Sequence, residues 1–162
     1  MGEPAPLELC RGRVLTEWLD YNGHMNVAYY VLAFDHACDD FLDRIGMTDA
    51  FRAQSGGSTF AAEMHITYQR EVMDGDPLRF TGYLLGFDPK RIHFILHMYH
   101  AEKGYLAATS EWMSLYVDLA SRRVSTMPAE ISDRLAAIHA SHKELPRPPE
   151  AGRVMSLTGK RK

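Results

Sequence analysis

The residues best equipped for chemistry lie in one stretch, EWLDYNGHMNVAYYVLAFDHA, at positions 17–37. Asp20, Asn22, His24 and Asn26 occupy alternate positions there, directly ahead of a helical pattern. A carboxylate can take a proton or attack an electrophile, and amide and imidazole groups can orient it, hold a water or donate to an oxyanion. The start of a helix gathers unpaired N–H groups and the positive end of the helix dipole, so it favours negative charge or a carbonyl oxygen about to acquire it. Gly23 permits a tight bend between these side chains. Backbone amides from Gly23 through Met25 to Asn26 are then candidates for an oxyanion hole. The same residue types also make an N-cap and an Asx turn, for which a single Asp or Asn suffices. Trp18, Tyr21, Tyr29, Tyr30 and Phe34 crowd the same stretch, which suits a lined pocket better than a bare turn.

A long helix must position this loop. From Ala28 to Ile45 the apolar residues Tyr30, Val31, Phe34, Cys38, Phe41, Leu42 and Ile45 recur at three- and four-residue steps, and Gly46 is placed to end the run. A short edge strand precedes it within 7–18, and a loop containing QSGGS follows. TFAAEMHITYQREV then alternates, with Ala62, Met64, Ile66 and Tyr68 on one side and Ala61, Glu63, His65 and Thr67 on the other. MDGDP, DPKR and AEKG mark turns between LRFTGYLLGF, IHFILHMYH and YLAATSEWMSLYVDL, an antiparallel meander. After the polar turn SRRV, PAEISDRLAAIHASH predicts a short second helix. The class is α+β: a curved antiparallel sheet of about five strands covered by one long helix. We expect one domain over 1–145 and an extended, proline-rich tail over 146–162.

Composition excludes several roles. Of 162 residues, 46% are hydrophobic, enough for one ordinary core. Lys and Arg number 18 against 21 Asp and Glu, giving a net charge of −3, so nothing offers a footprint for nucleic acid. No apolar run approaches a membrane span, and the opening MGEPAPLELCRGRV lacks the pattern of a signal segment. Cys10 and Cys38 match neither a disulfide scaffold nor metal-ligand spacing, which points to the reducing cytoplasm. His93 and His97 sit roughly 13 Å apart along a strand and His100 falls on its other face, so no metal is expected. Nothing in the chain calls for a cofactor.

The run D-x-N-G-H-M-N-x-x-Y-Y ahead of a long helix resembles the hot-dog-fold thioesterases, in which a sheet wraps a long central helix and two subunits share the active sites. In the 4-hydroxybenzoyl-CoA thioesterase branch a loop aspartate matching Asp20 activates water or attacks the thioester, and helix N-terminal amides polarise its carbonyl. The plant acyl-carrier-protein thioesterases have a similar D-x-N-x-H spacing at Asp20, Asn22 and His24, and their Y-R-R-E resembles YQRE, which puts Glu71 forward. A closer likeness runs along nearly the whole chain. EWLDYNGHM, GGSTFAAEMHI, EVMDGDPLR, LLGFDPKRIHF, AATSEWMSLYVD and ELPRPPEAGR resemble, in order, the betainyl-CoA thioesterases of carnitine breakdown. The segments NVAYYVLAF and SLYVD depart from that family, which carries threonine or glutamate near the first and histidine in the second. Enoyl-CoA hydratases share the fold, but their loop resembles D-x-N-P-x-H; His24 here follows Asp20 by four residues and Gly23 replaces the proline.

The resemblance implies an acyl-CoA substrate, with Asp20 as base or nucleophile and His24 and Asn22 orienting it or a water. Asn26 then either holds the thioester oxygen or caps the helix. Glu63 either joins the pocket with Tyr21, Tyr29, Tyr30 and Trp112 or makes a structural hydrogen bond, and Glu111 is open to the same two roles. A cage of such aromatics, Tyr116 included, would suit the trimethylammonium of a betainyl group. Lys90 and Arg91 are turn residues that could also meet CoA phosphates. Free sheet edges, and apolar positions such as Phe94, Leu96 and Met98 with too little cover inside one chain, argue for a homodimer or homotetramer. A non-catalytic acyl-binding protein is the remaining alternative.

Overall fold

The computed structural model describes residues 4–157. Strand β1 (Leu7–Arg13) leads through a 3-10 turn (Thr16–Trp18) and the Asp20 loop into helix α1 (Val27–Arg44). A short helix α2 (Asp49–Ser55) follows, then strands β2 (Gly57–Tyr68), β3 (Pro77–Phe87), β4 (Arg91–His100) and β5 (Leu106–Asp118), a two-residue strand β6 (Arg123–Val124) and helix α3 (Ala129–His142). The strands order as β1-β3-β4-β5-β2, with β6 paired to β5, and every pairing is antiparallel. This is the α+β arrangement expected. The segment expected as loop between α1 and β2 is partly helical, because Thr48 caps α2 by accepting a hydrogen bond from the Phe51 N–H.

Helix α1 buries Tyr30, Ala33, Phe34, Ala37, Cys38, Phe41 and Leu42, one continuous stripe at the helical period. Ala33 and Ala37 keep the helix near the sheet, and Phe41 stacks on Phe94 with centroids 4.3 Å apart. Burying such a side chain fully stabilises the fold by about 1.5 to 3 kcal/mol. Phe94, Leu96 and Met98 have no exposed surface, so the cover expected from a second copy is already supplied within the chain.

Two other expectations change. Strand β2 does not alternate throughout: its register steps from Ala61 opposite Ser114 to Glu63 opposite Met113, leaving Ala62 as a bulge that reverses which side chains face the helix. The residues after α3 are not a free extension. They lie back across the outer face of the sheet, with Pro148 buried, Glu150 Oε2 3.8 Å from His97 Nε2, and the Gly152 N–H donating to Glu111 Oε2 at 2.7 Å. Outer-face groups such as Tyr83, His97 and Thr109 need cover, and prolines supply apolar surface without further N–H groups to satisfy.

Helix α3 is fixed to β3 by His142. Its Nδ1 accepts a hydrogen bond from the Leu84 N–H at 2.9 Å, and the Tyr83 hydroxyl donates to its carbonyl at 2.6 Å. Burial pushes the His142 imidazole below its ordinary value of 6.5, with the neighbouring His139 acting in the same direction. Both folded and unfolded chains are neutral here above that value. As pH falls through it the unfolded chain takes up the proton first, so stability is full above and lost below. The melting temperature should therefore drop between pH 8 and about pH 5.5, and less steeply in His142→Asn, which keeps an acceptor but does not titrate. Equal slopes in the two proteins by differential scanning calorimetry would rule this account out.

Candidate active site

The loop before α1 is closed by its own backbone. The Asp20 N–H donates to the His24 carbonyl at 3.0 Å, the Gly23 N–H to the Asp20 carbonyl at 3.0 Å, and the Asn26 N–H to the Trp18 carbonyl at 2.9 Å. A fourth bond, from the Met25 N–H to the Val72 carbonyl at 3.0 Å, ties the loop to the chain leaving β2. Gly23 sits at φ +78°, a conformation that an L side chain adopts only under strain. Buried Met25 anchors the turn in the core beside Val72.

Within this turn the Asp20 carboxylate is held by one neighbour. Asn22 donates its backbone N–H to Oδ1 at 2.8 Å, and its side-chain amide reaches Oδ2 at 3.4 Å. The His24 ring does not join them. Its Nδ1 lies 3.1 Å from the Met25 carbonyl, which can only accept, so Nδ1 carries the proton and Nε2 of the neutral ring is an acceptor. Asn26 is the N-cap of α1: its side-chain oxygen accepts from the Ala28 N–H at 2.9 Å. Because Gly23 and Asn26 spend their amides inside the loop and Met25 spends its own on Val72, the Val27 N–H is the one at the helix start with no acceptor among the described bonds. The sequence marked where the helix starts, but it could not show which amide stays free.

The other candidates disperse. Tyr21 is 97% exposed beside the loop, and Tyr29 stacks on Trp18 at 5.6 Å. Tyr30, Phe34 and Trp112 are core residues: Tyr30 meets Tyr68 edge-on, Phe34 meets Phe80, and Trp112 stacks on Phe94. Burial pushes the Tyr30 phenol up to about 12, and the Cys38 thiol likewise to about 12, so neither supplies a nucleophile. Tyr116 packs against Gly57 at the other end of the sheet. Glu63 is exposed at the middle of the β2 edge, away from the loop. Glu111 pairs with His93 at 2.6 Å and takes the Gly152 amide, and Glu71 is exposed. Lys90 and Arg91 lie in the β3–β4 turn, where the Asp88 carboxylate accepts from both backbone amides and from Arg91 Nε. That turn is a full strand length, roughly 30 Å, from the Asp20 end of the sheet. Among the described residues no group of three or more His, Cys, Asp and Glu side chains could hold a metal ion.

A long helix lying in a curved antiparallel sheet, with a carboxylate held at the helix start, is the hot-dog arrangement. Residues 14–135 match the Thioesterase-like superfamily, and the chain belongs to it. It is 38% identical over 144 residues to a betainyl-CoA thioesterase of Pseudomonas aeruginosa, covering 89% of this chain and 91% of that protein. A Pseudomonas putida KT2440 protein described as a thioesterase superposes with a TM-score of 0.82 at 36% identity, covering 96% of this chain and 99% of that one. The Staphylococcus aureus protein SAV2348, solved in complex with CoA, superposes with a TM-score of 0.88 at 26% identity, covering 97% and 98%.

The Asn26 cap makes a distinct prediction. Asn26→Ala removes an acceptor from a helix-start amide and should lower unfolding free energy by about 1 kcal/mol. Urea denaturation checks it; unchanged stability would mean that the Ala28 amide finds another acceptor.

Proposed function

We propose that the protein hydrolyses betainyl-CoA to free acid and CoA, with Asp20 activating water or attacking the thioester carbonyl. The observation that carries the reaction is the Asp20 carboxylate, held by Asn22 in a closed turn at the start of the superfamily's long helix. The Val27 N–H, aided by the helix dipole, polarises the carbonyl oxygen as it becomes negative. Asn22 positions Asp20, and His24 offers its unprotonated Nε2 as a hydrogen-bond acceptor to a water. For the acyl group, support comes from the likeness to the Pseudomonas betainyl-CoA thioesterase along almost the full length of both chains.

The catalytic unit in this reading is a homodimer. Strand β2 is a 12-residue edge strand with one side unpaired, and Phe60, Met64 and Tyr68 along it remain exposed, which invites pairing with another strand. Two-fold pairing of β2 with its copy runs antiparallel and sets the far end of one sheet beside the Asp20 end of the other. Glu63 then falls at the junction, and Lys90 and Arg91 approach the CoA phosphates across it. A homotetramer would pack two such dimers. The free thiols of Cys10 and Cys38 support a reducing cytoplasm, and no helix among the described residues is long and apolar enough to cross a membrane.

A neutral acyl group is the second reading. It is favoured by the aromatics, since Tyr30, Phe34 and Trp112 are used up in the core, which leaves Trp18, Tyr21, Tyr29 and Tyr68 by the loop and helix start.

Three outcomes follow. Asp20→Asn should stay folded and lose about a hundredfold or more in turnover, measured by thiol release; near-normal turnover would remove Asp20 from the chemistry. Across betainyl-, acetyl-, butyryl-, long-chain and aromatic acyl-CoA, kcat/KM should be highest for betainyl-CoA, and equal turnover of butyryl-CoA would leave a thioesterase of a different substrate. Light scattering should give a dimer or tetramer; an active monomer would sink the shared-site reading.

A further inference from the structure

Behind the sheet lies an open cavity of about 380 Å3 that shares no lining residue with the Asp20 loop. Its floor is the outer face of β3 and β4, where Tyr83, His97 and Tyr99 stand together, and its roof is the chain after α3, with Pro146, Pro148 and Glu150. The aromatic walls are fixed. The Tyr83 hydroxyl is anchored on the His142 carbonyl, and the Tyr99 ring, 6.0 Å from His97, is braced by the Arg79 guanidinium at 5.5 Å. Arg79 is itself neutralised by Glu8.

The charge in this cavity is unbalanced. The Glu150 side chain is only 16% exposed, and among the described residues its one ion-pair neighbour is His97, at 3.8 Å. His97 is a poor counter-ion: burial pushes its imidazole below the ordinary value, although Glu150 pulls the other way. A half-enclosed carboxylate beside a neutral ring, among tyrosine faces and prolines, lacks a positive partner.

We propose that this cavity binds a small quaternary ammonium ion, with Glu150 as counter-ion and Tyr83 and Tyr99 as walls. An anion would meet the carboxylate. A hard metal ion needs several oxygen ligands, whereas the lining offers one carboxylate and mainly carbon surface. A weakly hydrated cation with an apolar surface satisfies both the charge and the aromatic faces. The site is separate from the thioesterase centre, so the inference stands or falls independently of it.

Calorimetric titration of the whole protein with choline at fixed ionic strength tests it, alongside 3,3-dimethyl-1-butanol, the uncharged analogue of the same shape. NMR of the His97 ring reports occupancy at the cavity itself. Choline should bind saturably and move the His97 signals, and the uncharged analogue should bind at least tenfold more weakly. Glu150→Gln, which keeps the side-chain shape, should weaken choline tenfold or more, and Tyr99→Leu several-fold. Asp20→Asn should bind choline as the wild type does. No saturable choline binding, equal binding of the uncharged analogue, indifference to Glu150→Gln or to Tyr99→Leu, or loss of binding in Asp20→Asn would each overturn the proposal.

Discussion

Everything at the candidate active site depends on the Asp20 loop being closed upon itself at the foot of α1. Three backbone hydrogen bonds shut the turn between Trp18 and Asn26, and a fourth ties Met25 to Val72. The helix they lead into is held in turn by its apolar stripe, from Tyr30 to Leu42, pressed on the sheet. Loop and helix therefore share one rigid frame, so the side chain of Asp20 is aimed by packing elsewhere in the molecule. Preorganisation of this kind matters because catalytic groups act only within a narrow range of geometry. It also has a cost: each amide used to close the loop is one fewer free to meet another acceptor, which leaves the Val27 N–H as the free one at the helix start.

The sheet's second face follows a different logic. Its inner face is mainly apolar and covered by α1, whereas its outer face carries His93, His97, Thr109 and Glu111, polar groups that need partners when covered. Helix α3 and the chain after it provide that cover. His142 accepts from the Leu84 amide, Gly152 donates to Glu111, and Glu150 approaches His97. A buried polar face closed by a proline-rich segment is less uniform than an oily core, and it is where a cavity and an unbalanced carboxylate survive.

How far the sequence revealed all this differs by element. Helix α1 was legible because Tyr30, Phe34, Cys38, Phe41 and Leu42 repeat at the period of a helix with one buried side, and Gly46 follows where it ends. The meander was legible from its turns. The bulge at Ala62 was not, since one extra residue in an edge strand leaves alternation intact on either side of it. In the loop, the residue types marked the candidate site, and the Asx turn and N-cap proved to be present together with the half-buried Asp20 carboxylate rather than instead of it. The orientation of His24 was hidden, because spacing does not reveal whether a ring turns to a carboxylate or to a carbonyl. Aromatic crowding misled for a related reason. Tyr29 and Tyr30 are adjacent in sequence yet face a stacked surface pair and the core respectively, as neighbours on a helix must. The docking of the tail depended on polar outer-face partners far away in sequence, such as Glu111 for Gly152.

The central claim is that turnover depends on the closed geometry of the loop, beyond the presence of its side chains. Gly23→Ala addresses it most directly, because it leaves every candidate catalytic side chain in place and perturbs only a turn that requires φ +78°. The measurement is kcat/KM for thioester hydrolysis at a temperature where circular dichroism shows the variant fully folded. The account predicts a loss of about tenfold or more, as expected when catalytic groups shift by a fraction of an ångström to an ångström. Wild-type kcat/KM in the folded variant would contradict it.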